Sequence, residues 1–225
     1  MTARPEPLVE LVGLPGSGKS TITRAIGEGW KMRRELPLSP APLASRLALY
    51  RDAWPFFMSL RPLGSYEFKR MLKLGAELRI YVNDMGGTTV LEQGMIQQLW
   101  STIIGHRAFK AAALDSLIQS LAVTAADLIV WVRTSPEEAA RRIAARMVGN
   151  SRFEKMPPET IAAELRAADS IYGLLMSLYR KHAPSTFLEL SGHDPVAENA
   201  RRVKEAVQAL NRTRSILAPY SREAG

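Results

Sequence analysis

The sequence contains no cysteine, which excludes disulfides and thiolate metal sites. Histidine is almost as scarce: His106, His182 and His193 are too scattered to build a histidine metal site. No apolar run approaches the ~18 residues of a membrane span. The first apolar stretch, residues 8–13, is too short and wrongly flanked for a secretion signal, so a cytoplasmic protein without membrane partners is expected. Acidic residues are in deficit, 22 against 30 basic ones, giving a net charge of +8 and a pI near 10.0. The basic residues are dispersed, with no polybasic block and no interleaved aromatics. That pattern argues against nucleic acid and for small phosphorylated ligands. Repeats, low-complexity segments and linkers are absent. A chain of 225 residues that is 46% hydrophobic suits one domain with a sizeable core.

What is present begins with a strand over 8–12, a glycine-rich turn and a helix over 19–28. Residues 29–42 read as loop, although a further strand could lie within 32–39. Helices are expected over 43–57 and 66–81, separated by Arg61-Pro62-Leu63-Gly64, then a short strand over 88–92. Two more helices fill 95–104 and 109–121. Residues 127–132, Asp-Leu-Ile-Val-Trp-Val, form the continuous apolar run of a strand covered on both faces. Ser135 then caps a helix with Pro136 at its first position. A long helix over 159–180, a strand over 186–190 and a last helix ending near Leu210 complete the chain, with 211–225 as a loose tail. Strands alternating with helices imply an α/β fold: a parallel sheet of four to five strands flanked by helices.

The chemistry is concentrated in Gly13-Leu14-Pro15-Gly16-Ser17-Gly18-Lys19-Ser20-Thr21. This spacing is the P-loop pattern, Walker A. Glycines let backbone N–H groups turn inward around the phosphates where a Cβ would collide. Lys19 serves the β- and γ-phosphates, the Ser20 hydroxyl suits Mg²⁺, and the helix that follows adds its positive end. Gly13, Gly16, Ser17, Gly18, Lys19, Ser20 and Thr21 are therefore the candidate nucleotide site, with ATP as donor and Mg²⁺ as its metal. A GTPase would carry Asn-Lys-x-Asp for guanine, which is missing, and Asp84-Met85-Gly86-Gly87 precedes its strand where a switch would follow one. An ABC-type ATPase would carry Leu-Ser-Gly-Gly-Gln, also missing.

Two further features fit phosphoryl transfer. Glu92 ends the strand over 88–92, at the carboxyl edge where ligands sit in open α/β sheets. A carboxylate there can accept an acceptor's proton or hold Mg²⁺ through water. Arg142 and Arg146, four residues apart, share a helix face, and Arg152 follows the break at Gly149-Asn150-Ser151. Together they suit a lid over 139–158 that brings positive charge to the transferred phosphoryl group, whereas Arg141 reads as solvated surface. An acceptor region falls to the helices of residues 43–82, with Arg51, Trp54, Phe57, Arg70 and Arg79 available. Gln97 or Gln98 is placed to hydrogen-bond a base or sugar.

The P-loop, the segment 126–139 and Arg142, Arg146 and Arg152-Phe153-Glu154 resemble the nucleoside monophosphate kinases, thymidylate kinases most closely. That resemblance implies a single P-loop kinase domain acting on a small-molecule acceptor, a nucleotide or nucleoside among the candidates. The family's Asp-Arg-aromatic after the third strand reads Glu92-Gln93-Gly94 here, keeping the carboxylate and losing the arginine. A sugar, nucleotide-sugar or antibiotic kinase and a nucleotide-binding regulatory ATPase stay open as alternatives, as does a homodimer.

Overall fold

The computed structural model describes residues 6–27, 30–33, 43–60, 88–106, 108–122, 125–146 and 156–217, with positions 64–65, 68–69, 71–72, 74 and 153 between them. The elements alternate as the sequence pattern requires: β1 (Leu8–Val12), α1 (Lys19–Ile26), β2 (Lys31–Arg33), α2 (Leu43–Phe57), β3 (Thr89–Leu91), α3 (Met95–Ile103), α4 (Ala111–Ala122), β4 (Leu128–Arg133), α5 (Pro136–Ala144), α6 (Pro158–His182), β5 (Thr186–Ser191) and α7 (Val196–Leu217). The five strands form one parallel sheet in the order β2-β3-β1-β4-β5. β1 lies at its centre, paired to β3 from Leu8↔Thr89 and to β4 from Val9↔Leu128. The order reverses beside β1, so the carboxyl ends of β1, β3 and β4 open a crevice there.

Both faces of the sheet are buried, which explains why β1 and β4 read as apolar runs rather than alternating ones. Leu8, Val12, Leu91, Ile129 and Trp131 point to a larger core built with α2, α3, α4 and α6. Val9, Leu11, Val90, Leu128, Val130 and Val132 point to a smaller core with Ile22 and Ile26 of α1 and Val203 and Val207 of α7. Glu10 breaks the apolar run and is nonetheless buried.

Three boundaries differ from the sequence expectation. A further strand does pair in parallel register with β3, but it is β2 over Lys31–Arg33, which meets the expected window of 32–39 only at its start; residues 34–39 lie outside the described residues. So short an edge element carries too little pattern to be read, and partner pairing defines it. α7 continues to Leu217 instead of stopping near Leu210, so residues 211–217 are helix and not loose tail. Its last turn is anchored by Arg214, which pairs with Asp127 just ahead of β4, while Asp127 also accepts the Leu8 N–H at 2.7 Å. α5 ends at Ala144, short of the break expected at 149–151. Of the helix expected over 66–81, only scattered positions up to 74 are described, and these are helical. Residues 147–152 and 218–225 lie outside the described residues.

Candidate active site

The turn from Gly13 to Lys19 is dictated by its glycines. Gly13, Gly16 and Gly18 have φ of 147°, 86° and 98°, conformations that side-chain-bearing residues rarely adopt. Space makes the same demand. A Cβ on Gly13 would stand 2.4 Å from the Val132 carbonyl oxygen, and one on Gly16 2.6 Å from that of Ala139. The Ser17 N–H closes the turn on the Leu14 carbonyl at 3.1 Å, and Gly18 caps α1 in the left-handed region. Backbone N–H groups curled around a helix N-terminus in this way suit a phosphate.

Lys19 folds back across the turn. Its ammonium donates to the carbonyls of Gly13 at 2.6 Å and Leu14 at 2.9 Å, with the Ser17 hydroxyl at 3.5 Å. Part of its stem is exposed while the charged end is enclosed, and burial lowers its pKa to about 7 against a smaller opposing pull from Glu92. Anionic phosphates would restore the charge. Nucleotide binding at pH 8 should therefore take up close to one proton, because the ammonium is mostly neutral beforehand and charged afterwards. At pH 6 it is already charged and uptake should vanish. Calorimetry in two buffers of different ionisation enthalpy checks this, and equal apparent enthalpies at pH 8 would refute it.

Glu92 follows the last residue of β3 and is carried to the first turn of α1. There the Ser20 hydroxyl donates to its Oε2 at 2.8 Å. The two residues are 72 positions apart in sequence, and only the β1–β3 pairing brings them together. Two hard oxygen groups beside the glycine turn could hold Mg²⁺, which takes one or two protein ligands and completes its shell with water and phosphate. A three-ligand metal cluster is absent among the described residues.

The arginines separate in their surroundings. Arg142 is clamped: its Nε donates to Glu138 at 2.6 Å and its Nη2 to the Gly192 carbonyl at 2.9 Å. Glu138 is held at a pKa of about 2 by Arg141 first and Arg142 second, so the clamp stays charged through neutral pH. Arg141 is otherwise exposed. Arg146 lies past the end of α5 rather than on the same helix face as Arg142, yet both line one cavity of about 490 Å³. Arg152 lies outside the described residues, and its neighbour Phe153 is core. Of the proposed acceptor residues, Phe57 is core, Trp54 is exposed and Arg51 pairs with Asp52, whereas Arg70 and Arg79 lie outside the described residues. Gln98 is buried, and its backbone carbonyl accepts from Ser101 and Thr102. Gln97 accepts the Tyr172 hydroxyl.

Sequence reasoning missed the turn after β5. Gly192, His193, Asp194 and Pro195 line that cavity together with Gly16, Gly18 and Thr21. Gly192 is packed so tightly that a Cβ would lie 1.9 Å from Thr134 Oγ1 and 2.8 Å from the Ser17 carbonyl oxygen. The signal was available. A glycine-containing turn at the carboxyl end of a parallel strand sits where such sheets bind ligands.

Neither a family description nor a curated protein matches this sequence. Solved structures do. Deoxyadenosine kinase from M. mycoides with bound dATP superposes at a TM-score of 0.55 and 16% identity, covering 89% of this chain and 99% of its own. The same kinase with bound dCTP gives 0.54 and 16%, over 90% and 99%. The chain shares the fold of these kinase structures. At such identity the likeness concerns architecture, and the chemistry has to be argued from this chain's own residues. No helix among the described residues is long and apolar enough to cross a membrane.

Proposed function

We propose that the chain is an ATP-dependent kinase that transfers the γ-phosphoryl group to a hydroxyl of a small molecule of the nucleoside or nucleotide class. The observation that carries this reading is the hydrogen bond between Ser20 and Glu92 at the mouth of the glycine turn. It sets the hydroxyl of the nucleotide loop and a lone carboxylate on one spot, where phosphate and acceptor would meet.

In this reading Gly13, Gly16, Ser17, Gly18 and Thr21 wrap the phosphates with backbone N–H groups, and Lys19 leaves its carbonyl partners for the β- and γ-oxygens. Ser20 and Glu92 would hold Mg²⁺, which when bound neutralises charge on those oxygens. Glu92 also faces the attacking hydroxyl and accepts its proton. The cavity between α5 and the 192–195 turn has the volume of a small-ligand site and receives the donor's base. Arg142 is already seated beside Gly18, while Arg146 and Arg152 approach as the segment 139–158 closes. An acceptor of the nucleoside class is supported by the kinase superposed above and by Glu92-Gln93, which offers a base without the arginine that would grip an acceptor phosphate.

The direct test incubates the protein with ATP and Mg²⁺ against panels of nucleosides, nucleoside monophosphates and sugars, with mass-spectrometric detection of a phosphorylated product. One compound class should raise ATP consumption with equimolar product. ATP turnover stimulated only by a protein or a nucleic acid would overturn the reading in favour of a regulatory ATPase.

A further inference from the structure

Glu10 occupies a position that the pattern of β1 assigns to a hydrophobic residue. It lies between Leu8 and Val12, which share its face of the sheet and belong to the larger core, and it is 1% exposed. A carboxylate in such a place is costly unless specific donors satisfy it. One donor is the Ile96 N–H, which meets Glu10 Oε1 at 2.8 Å. Ile96 is the second residue of α3, and α3 begins without a side-chain cap of its own. Its N-cap is Gly94, which has no side chain to offer, and its first turn holds no acidic residue. Glu10 therefore provides in trans, from the central strand, the carboxylate that helix N-termini usually take from their own sequence.

The location matters because α3 is joined to β3 by Glu92-Gln93-Gly94 alone. Glu10 is paired in register with Leu91, the residue before Glu92. The short turn that carries Glu92 is thus fastened at both ends to β1, the strand that also delivers the glycine turn and Ser20. From the α6 side, Tyr172 and Tyr179 pack near enough that the Glu10 charge adds to burial in pushing both hydroxyls above their ordinary range. Tyr172 in turn donates to Gln97 of α3.

We infer that Glu10 is a positioning residue: by capping α3 from within the sheet it fixes Glu92 against Ser20 and so sets the geometry of the metal site. The inference rests on the proposed role of Glu92, and the test separates the two. Mn²⁺ is titrated onto the protein in the presence of ADP and followed by its electron paramagnetic resonance signal. Metal-free ADP affinity is measured alongside. Glu10→Leu fills the space without an acceptor and should weaken Mn²⁺ by about tenfold, the scale at which supporting residues act on metal sites, with metal-free ADP affinity unchanged. Glu10→Gln retains a carbonyl oxygen for Ile96 and should bind Mn²⁺ as the wild type does. In a Glu92→Gln background the Glu10→Leu loss should disappear, because the residue it positions has gone.

Wild-type Mn²⁺ binding by folded Glu10→Leu, or the same loss in both backgrounds, would overturn the inference. Should Glu10→Leu not fold, Glu10→Asp replaces it, keeping the charge while withdrawing the oxygen by one methylene. Weakened Mn²⁺ then supports the inference and wild-type Mn²⁺ overturns it. Unchanged Mn²⁺ binding by Glu92→Gln alone would instead sink the metal role of Glu92.

Discussion

Lys19→Ala should eliminate measurable phosphoryl transfer and leave a folded protein. Among the described residues the ammonium's hydrogen bonds stay within its own turn, to Gly13, Leu14 and Ser17, so none of the described elements beyond that turn is held by them. Its lowered pKa shows that the folded protein holds the charge at a cost, and truncation relieves that cost while forfeiting the three bonds. The unfolding midpoint should stay within about 4 °C of the wild type, a change below roughly 1 kcal/mol for a domain of this size. Transfer should drop by about 10² to 10³ or more, as when a charge aimed at the developing transition state is removed. Paired calorimetric unfolding and single-turnover assays check both halves. A folded variant with wild-type turnover would end the nucleotide-site reading.

Glu92→Gln should bind ATP nearly as before and transfer phosphate about 10² to 10⁴ times more slowly. The amide keeps size and an oxygen acceptor for the Ser20 hydroxyl but cannot take up a proton. A second signature should accompany the first. Because Glu92 stands 2.8 Å from the Ser20 hydroxyl, loss of its charge should raise the Mg²⁺ concentration needed for half-maximal activity. Slow transfer with unchanged Mg²⁺ demand would assign Glu92 to proton transfer alone. Wild-type transfer would strike it from the mechanism. Stability is a poor reporter here, since a partly exposed substitution at a strand end usually changes it by only about ±0.5 kcal/mol.

The glycine turn was legible because its requirements are local. Gly13, Gly16 and Gly18 need conformations and space that few residues tolerate, so their spacing announces the backbone before any tertiary contact is known. The same holds for the Ser135-Pro136 helix start, whose Ser135 side chain accepts the Glu138 N–H, and for the doubly buried runs of β1 and β4. Arg142 and Arg146 illustrate the limit. A spacing of four placed them on one face of a helix, but α5 stops at Ala144 because the chain turns there, and the cavity unites them by another route.

What the sequence by itself determined was a glycine turn of the P-loop pattern between a strand and a helix, in a parallel α/β sheet with a carboxylate at the edge of β3. Local backbone sterics and hydrophobic patterning suffice for that. Only the tertiary structure decided which groups meet. Strand pairing across β3-β1-β4-β5 sets Glu92 against Ser20, seats Gly192 against Ser17, and places Glu10 under a helix whose N-cap is a glycine. The two hydrogen bonds among them join residues 72 and 86 positions apart, and Gly192 and Ser17 are farther apart still. Such pairings are fixed by the order and register of the strands, a global choice that no short window of sequence encodes.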